Sequence, residues 1–216
     1  SSATLIPPAV EPVTGFAELG VPDALVRLLT SQGVTAPFPI QSATLPDSLA
    51  GRDVLGQGRT GSGKTLAFAL PLVARLAASP KEPMRGRPRA LVLVPTRELA
   101  TQVAAVIEPL AAAFRMSTVT VFGGVGHGAQ RKAFHSGVEI VVACPGRLLD
   151  HMQAGDVNLD RVEITVLDEA DHMADQGFLP TVKKILDKTP ASGQRMLFSA
   201  TLAGGVDTIV SRYLHD

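Results

Sequence analysis

Gly58-Arg59-Thr60-Gly61-Ser62-Gly63-Lys64-Thr65 is a full match to the phosphate-loop pattern G-x-x-x-x-G-K-[ST]. A loop that wraps a string of phosphates must turn its backbone N–H groups inward and let the ligand approach almost to the main chain, and glycine permits both. The loop opens onto the apolar run Leu66-Ala67-Phe68-Ala69-Leu70. That run reads as a buried helix whose free N–H groups and positive dipole end face the phosphates. Lys64 adds a point charge for the β- and γ-phosphates, and the Thr65 hydroxyl can ligate the Mg²⁺ that travels with a nucleotide. From average residue usage, a chance match arises in roughly one chain in a hundred of this length. The strand-like Asp53-Val54-Leu55 just upstream supplies the strand–loop–helix setting that a chance match would lack. All eight loop residues are therefore expected at a nucleotide.

Downstream, short runs rich in Val and Leu alternate with helical stretches. The runs are Ala90–Val94, Val119–Phe122, Glu139–Ala143, Glu163–Leu167 and Arg195–Phe198. Strands that are apolar throughout, rather than alternating, belong to a parallel sheet covered on both faces. The expected architecture is an α/β domain of three layers around a mostly parallel sheet of six or seven strands, with ligands beyond the carboxyl ends of the strands. Upstream of the loop, helical spacing starts at Asp23 and stops at Gly33, and a second helix is expected from Pro39 to Leu49, closed by Gly51. Residues 1–15 hold Pro7, Pro8 and Pro12 without periodicity and read as an extended lead-in; residues 16–216 read as one domain. Ser79–Arg89, rich in Pro and basic residues, reads as an exposed loop.

Composition narrows the partners. With 216 residues and 45% hydrophobic content, the chain can bury one large core without disulfides. Lys+Arg and Asp+Glu balance at 20 each, so any nucleic-acid binding must come from a few placed contacts rather than bulk charge. Cys144 is the only cysteine; it cannot form an internal bridge, which fits a reducing cytosol. The longest apolar stretch, Thr65–Ala74, is too short to span a bilayer, and no targeting segment is evident. A soluble cytoplasmic protein with no membrane contact is expected. His127, His135, His151 and His172 lack metal-ligand spacing and read as surface or packing residues.

The run ending at Leu167 leads into Asp168-Glu169-Ala170-Asp171, placing two carboxylates where the phosphate loop should lie. An Asp at a helix start can be only a cap. A phosphate-loop enzyme, however, needs a carboxylate for Mg²⁺ and a group to orient the attacking water. Asp168 suits the first role and Glu169 the second.

Over nearly its full length the chain resembles the N-terminal, RecA-like domain of the DEAD-box RNA helicases. Besides the tetrapeptide, it carries in family order Phe16 seventeen residues before Gly33, Pro37-Phe38-Pro39-Ile40-Gln41, the phosphate loop, Pro95-Thr96-Arg97-Glu98-Leu99-Ala100, Gly123-Gly124, Pro145-Gly146-Arg147 and Ser199-Ala200-Thr201. The resemblance implies an ATP- and Mg²⁺-dependent RNA helicase with Lys64, Asp168 and Glu169 as catalytic groups. Gln41 would read the adenine edge while Phe16 stacks on the ring. Pro95, Thr96, Arg97, Gly123, Gly124, Pro145, Gly146 and Arg147 would hold the RNA sugar-phosphate backbone. Ser199 and Thr201 would couple nucleotide state to domain closure by hydrogen bonding toward Asp171. A second RecA-like domain of the same natural chain is implied as partner. A nucleotide-dependent RNA clamp that barely unwinds would share every motif, and a DNA-directed superfamily-two translocase is the other alternative. Three positions depart from the family: Phe38 where Thr or Ser is usual, Val34 where an aromatic is usual, and Cys144 where Thr usually precedes Pro-Gly.

Overall fold

The computed structural model describes residues 15–59 and 61–215. The expected lead-in lies outside them but for Gly15, as does Thr60 of the phosphate loop. The described elements, in order, are α1 (Asp23–Ser31), α2 (Pro39–Leu49), β1 (Val54–Gln57), α3 (Lys64–Ala78), β2 (Ala90–Leu93), α4 (Arg97–Ala112), β3 (Thr118–Val121), α5 (Gly128–His135), β4 (Ile140–Ala143), α6 (Pro145–Gln153), β5 (Ile164–Asp168), α7 (Ala170–Asp175), α8 (Leu179–Leu186), β6 (Gln194–Ser199) and α9 (Val206–Tyr213). The six strands form one sheet in the order β1-β6-β5-β2-β4-β3. Every neighbouring pair is parallel. All the runs read as strands are strands, and the sheet is wholly parallel.

The period-2 geometry of a strand sorts each apolar run onto two faces. On one face Val92, Val142, Val166, Met196 and Phe198 meet α1 to α4. On the other, Leu91, Leu93, Val141, Leu167 and Leu197 meet α5 to α9. Both clusters are needed, because burying one such side chain stabilises by only about 1.5–3 kcal/mol against a large chain-entropy cost. The cross-strand neighbour of Phe198 is Gly56. A Cβ at Gly56 would come within 2.5 Å of the Phe198 ring, so the glycine lets that ring lie flat over β1. Phe198 then meets Phe68 of α3 with ring centroids 5.5 Å apart, which seats the helix behind the phosphate loop.

The basic segment is not a uniformly exposed loop. Residues 79–85 are exposed, but Pro88 and Arg89 are buried. Arg89 is 2% exposed. Its guanidinium pairs with Glu163 at 2.6 Å and donates to the carbonyls of Leu76 at 3.3 Å and Ser79 at 2.6 Å, the open C-terminal turn of α3. Lys81 also reaches Glu163, at 3.3 Å. Burial works to raise the Glu163 carboxyl, but the hydrogen bonds and charges of Arg89 and then Lys81 outweigh it and hold it below the usual range.

Arg89→Met should therefore cost about 2–4 kcal/mol, because it leaves three acceptors without their charged donor. For a domain of this size that lowers the melting temperature by about 5–15 °C. The Glu163 share is a depressed acid: it is present above the unfolded-state carboxylate pKa and lost as pH falls through the folded one. The gap between parent and variant in thermal melts should narrow with acidification over that window; a gap independent of pH would contradict the pairing.

Candidate functional site

A parallel sheet gathers all its strand C-termini at one edge, and the strand order divides that edge in two. The adjacent strands β1, β6 and β5 lead into the phosphate loop, Ser199-Ala200-Thr201 and Asp168-Glu169. The adjacent strands β2, β4 and β3 lead into Pro95-Thr96-Arg97, Pro145-Gly146-Arg147 and Gly123-Gly124. The residues read from sequence as nucleotide-contacting and those read as RNA-contacting thus fall on opposite halves. The halves join where β5 pairs with β2.

In the first half, Gly63 is the N-cap of α3 in the left-handed region at φ 80°. A Cβ there would come within 2.3 Å of Phe38 and 2.7 Å of the Gln41 amide, so glycine is required on both counts. Gln41 is 1% exposed. Its Oε1 accepts from the Phe38 N–H at 3.0 Å and its Nε2 donates to the Gly63 carbonyl at 2.8 Å, so the amide straps the start of α2 to the loop. The first contact is half of a capping box; Phe38, standing where a hydroxyl would complete it, makes no side-chain cap. Phe16, to which the resemblance gives a stacking role, is 3% exposed and packs in the core, whereas Phe38 beside the loop is 55% exposed. Phe38, Pro39, Ile40, Leu55, Gly61 and Ser62 line a cavity of about 610 Å³. The Ser62 hydroxyl is buried without a hydrogen-bond partner.

Lys64 turns from the first residue of α3 toward the end of β5, reaching Asp168 at 3.0 Å and Glu169 at 3.1 Å. Asp168 is fully buried, and the Lys64 contact is ionic but badly aligned, leaving both carboxylate oxygens without a hydrogen-bond partner. Burial pushes its carboxyl above the usual range, with Lys64 pulling it back. A buried pair of orphaned oxygens suits a hard divalent cation. Among the described residues no group of three or more His, Cys, Asp and Glu could hold a metal by itself. Glu169 has φ 52°, a left-handed conformation costly for a non-glycine residue. Turning the chain there aims its carboxylate back at Lys64. Gly58, Arg59, Lys64, Glu169, Asp171 and His172 line a recess of about 260 Å³. A roomier recess of about 1000 Å³, lined by Met152, Leu159 and Lys184 among others, lies along α6 and α8, away from the phosphate loop, so volume does not mark the site.

Asp171, Ser199 and Thr201 lie together in one hydrogen-bonded cluster. The Asp171 N–H donates to Ser199 Oγ at 3.1 Å, Ser199 Oγ donates to the Thr201 carbonyl at 2.6 Å, and the Thr201 N–H donates to Asp171 at 3.3 Å. The Gly58 N–H donates to the Ser199 carbonyl at 3.3 Å, which ties this turn to the phosphate loop.

In the second half, Thr96 caps α4 by accepting the Leu99 N–H at 3.1 Å. Arg97 is exposed and lies over the Phe122 ring at 4.9 Å. Gly124 has φ 81°. Gly123, Gly124 and Gly146 are exposed, and Pro145 is buried as the first residue of α6. Cys144, the N-cap of α6, makes no cap hydrogen bond. Burial, and then Glu98, push its thiol to about 11, so it stays neutral. Arg147 donates to the Val125 carbonyl at 2.9 Å and to Gln130 at 3.3 Å. Sequence reading missed Gln130, and it left His151 among surface or packing residues; His151 is fully buried between Asp156 and Gln130. The available signal was its place one turn after Arg147 on the same helix.

Residues 38–209 match the DEAD/DEAH box helicase family. A DEAD-box ATP-dependent RNA helicase 3A, chloroplastic, of Zea mays is 45% identical over 204 residues, covering 93% of this chain and 27% of the relative. An ATP-dependent RNA helicase DBP2 of Candida albicans is 42% identical over 205 residues, covering 95% and 36%. A crystal structure of a DEAD box protein from the hyperthermophile Methanococcus jannaschii superposes with a TM-score of 0.85 at 36% identity, covering 94% of this chain and 54% of that one. The chain therefore spans between about a quarter and just over a third of the length of these curated relatives. The family match takes in more than half of the chain and both halves of the sheet edge, and on that ground the chain belongs to the DEAD/DEAH box helicase family.

Proposed function

We propose that this chain is the ATP-binding domain of an ATP-dependent RNA helicase, working with a second RecA-like domain of the same natural protein. The observation that carries the reading is the convergence of Lys64 on Asp168 and Glu169 beside the phosphate loop, at 3.0 and 3.1 Å. Relatives that match this chain over more than nine-tenths of its length carry the name ATP-dependent RNA helicase. With ATP bound, Lys64 turns from the carboxylates to the β- and γ-phosphates. Asp168 and the Thr65 hydroxyl would hold Mg²⁺, which supplies charge neutralisation at those phosphates. Glu169 orients the attacking water. Gln41 holds the loop in shape from the adenine side. Asp171, Ser199 and Thr201 relay the state of the phosphates to the partner domain. The exposed glycines, Thr96, Arg97 and Arg147 take an RNA backbone by shape and charge, with little base specificity. No described helix is long and apolar enough to cross a membrane, and the unpaired, neutral Cys144 thiol fits a reducing compartment, which we read as the cytoplasm.

Glu169→Gln in the natural protein should leave ATP binding nearly intact and slow turnover by about a hundredfold or more, since it removes the water-orienting carboxylate while keeping the cation ligand. Turnover within a few-fold of the parent would sink the assignment. Proton and cation compete for the Asp168 oxygens, and its carboxyl lies above the usual range. The Mg²⁺-dependent part of ATP affinity should thus be complete above that raised pKa and vanish as pH falls through it, at a higher pH than an ordinary aspartate would give. Titration of a fluorescent ATP analogue with and without Mg²⁺, against Asp168→Asn, isolates this profile from that of the nucleotide itself. Identical profiles in parent and variant would contradict it.

The isolated 216 residues should bind nucleotide yet hydrolyse it poorly. Cationic fingers from a partner domain are worth roughly 10³–10⁵ in rate, or about 4–7 kcal/mol of barrier. RNA-stimulated phosphate release from this chain, measured beside the natural protein, should differ by a factor of that order; equal rates would refute the need for a partner domain.

A further inference from the structure

Two side chains anchor the exposed glycine loop between β3 and α5. Arg147 holds the Val125 carbonyl at 2.9 Å, and Gln130 Nε2 holds the Phe122 carbonyl at 3.0 Å. The same Gln130 is 5% exposed, and its Oε1 accepts from Arg147 Nη1 at 3.3 Å and faces His151 Nε2 at 2.9 Å. Only one orientation of this amide works. Reversed, its oxygen would face the Phe122 carbonyl and its NH₂ would face the guanidinium. With that orientation fixed, both ring nitrogens of His151 face acceptors, since Nδ1 lies 2.8 Å from Asp156. The ring is wedged between Phe134 and His127, each with its centroid 5.2 Å away. Arg131 closes the far end, 3.2 Å from Asp156, with His135 at 3.9 Å. The His151 hydrogen bond, opposed by burial and aided by Arg131, holds the Asp156 carboxyl below its ordinary range.

We propose that Gln130, backed by His151 and Asp156, is a positioning residue that holds the Arg147 guanidinium and the Gly123–Gly126 loop in the geometry that accepts a nucleic-acid backbone. Gln130 and His151 are themselves buried and act through Arg147. An arginine whose fork is already held by two protein acceptors loses less freedom when a phosphate arrives than one that must be ordered on binding. The phosphate meets the guanidinium donors left over from Val125 and Gln130, because arginine has five. The proposal rests on the reading of this half of the sheet edge as the RNA face, and its test separates the two.

The test is a double-mutant cycle in the natural protein, with a labelled single-stranded RNA oligonucleotide, a non-hydrolysable ATP analogue and a range of salt. Arg147→Ala is expected to weaken RNA binding about five- to tenfold and to lower the slope of log affinity against log salt by about 0.7, one phosphate contact on a single strand. Gln130→Met keeps the charge of Arg147, yet it should reproduce most of both effects, and the double variant should be no weaker than Arg147→Ala alone. A merely structural loss would add to Arg147→Ala in full. If Arg147→Ala itself leaves affinity and slope unchanged, the RNA-face reading falls and takes the proposal with it. If Arg147→Ala weakens binding while Gln130→Met leaves it at the parent value, or adds in full, the positioning role alone is overturned. Should Gln130→Met fail to fold, Arg147→Lys carries the test, because lysine keeps the charge but cannot fork between Val125 and Gln130. Binding as weak as in Arg147→Ala supports the proposal, and parent-like binding overturns it.

Discussion

Asp168 is a fully buried carboxylate, and the ammonium of Lys64 at 3.0 Å is what makes its charge tolerable there. The pair joins the first residue of α3 to the last residue of β5; β1, which leads into α3, is separated from β5 in the sheet by β6. Holding that distance requires the phosphate loop to turn tightly, which Gly63 allows and Gln41 braces. It also requires β1, β6 and β5 to stay in register, which the Gly56–Phe198 neighbourhood secures. One ammonium faces two carboxylates, and the Asp168 oxygens keep no hydrogen-bond partner, so the cluster carries excess negative charge and is not a fully satisfied structural bridge.

The same constraint organises the rest of the edge. A parallel sheet buried on both faces leaves the polar groups of the chain nowhere to converge except beyond the strand ends. The phosphate-loop motif and the acidic pair lie at the ends of β1, β6 and β5, and the exposed glycines and arginines at those of β2, β4 and β3. The β5–β2 junction sets Asp168 and Glu169 beside the turn that carries Thr96 and Arg97. The half proposed for the nucleotide is thus one strand away from the half proposed for the nucleic acid.

Much of the architecture was legible because its signals are local. Five continuous apolar runs are strands, and the central strands bury alternate side chains on two helical layers. Helix starts at Asp23 and Pro39 and the glycine at position 33 follow from capping and φ rules, which need only neighbouring residues. Arg89 and His151 were misplaced or undervalued for the opposite reason. The partners that let them be buried are Glu163 and the end of α3 for one, Gln130 and Asp156 for the other, and most are distant in sequence. A charged side chain reads as exposed until its partners are known.

The sequence by itself determined the phosphate-loop motif, the two carboxylates that follow β5, the parallel three-layer class and the small-residue motifs at the strand ends. Those features depend on residue type and on spacing within one turn or strand. Tertiary structure alone decided which aromatic lies open beside the loop, Phe38 rather than Phe16. It also decided that the Gln41 amide points at the loop and that Gln130 stands behind Arg147. The physical reason is common to all three: exposure and hydrogen-bond direction are set by what lies on the neighbouring element, and that neighbour is chosen by the β1-β6-β5-β2-β4-β3 strand order, which no local spacing encodes.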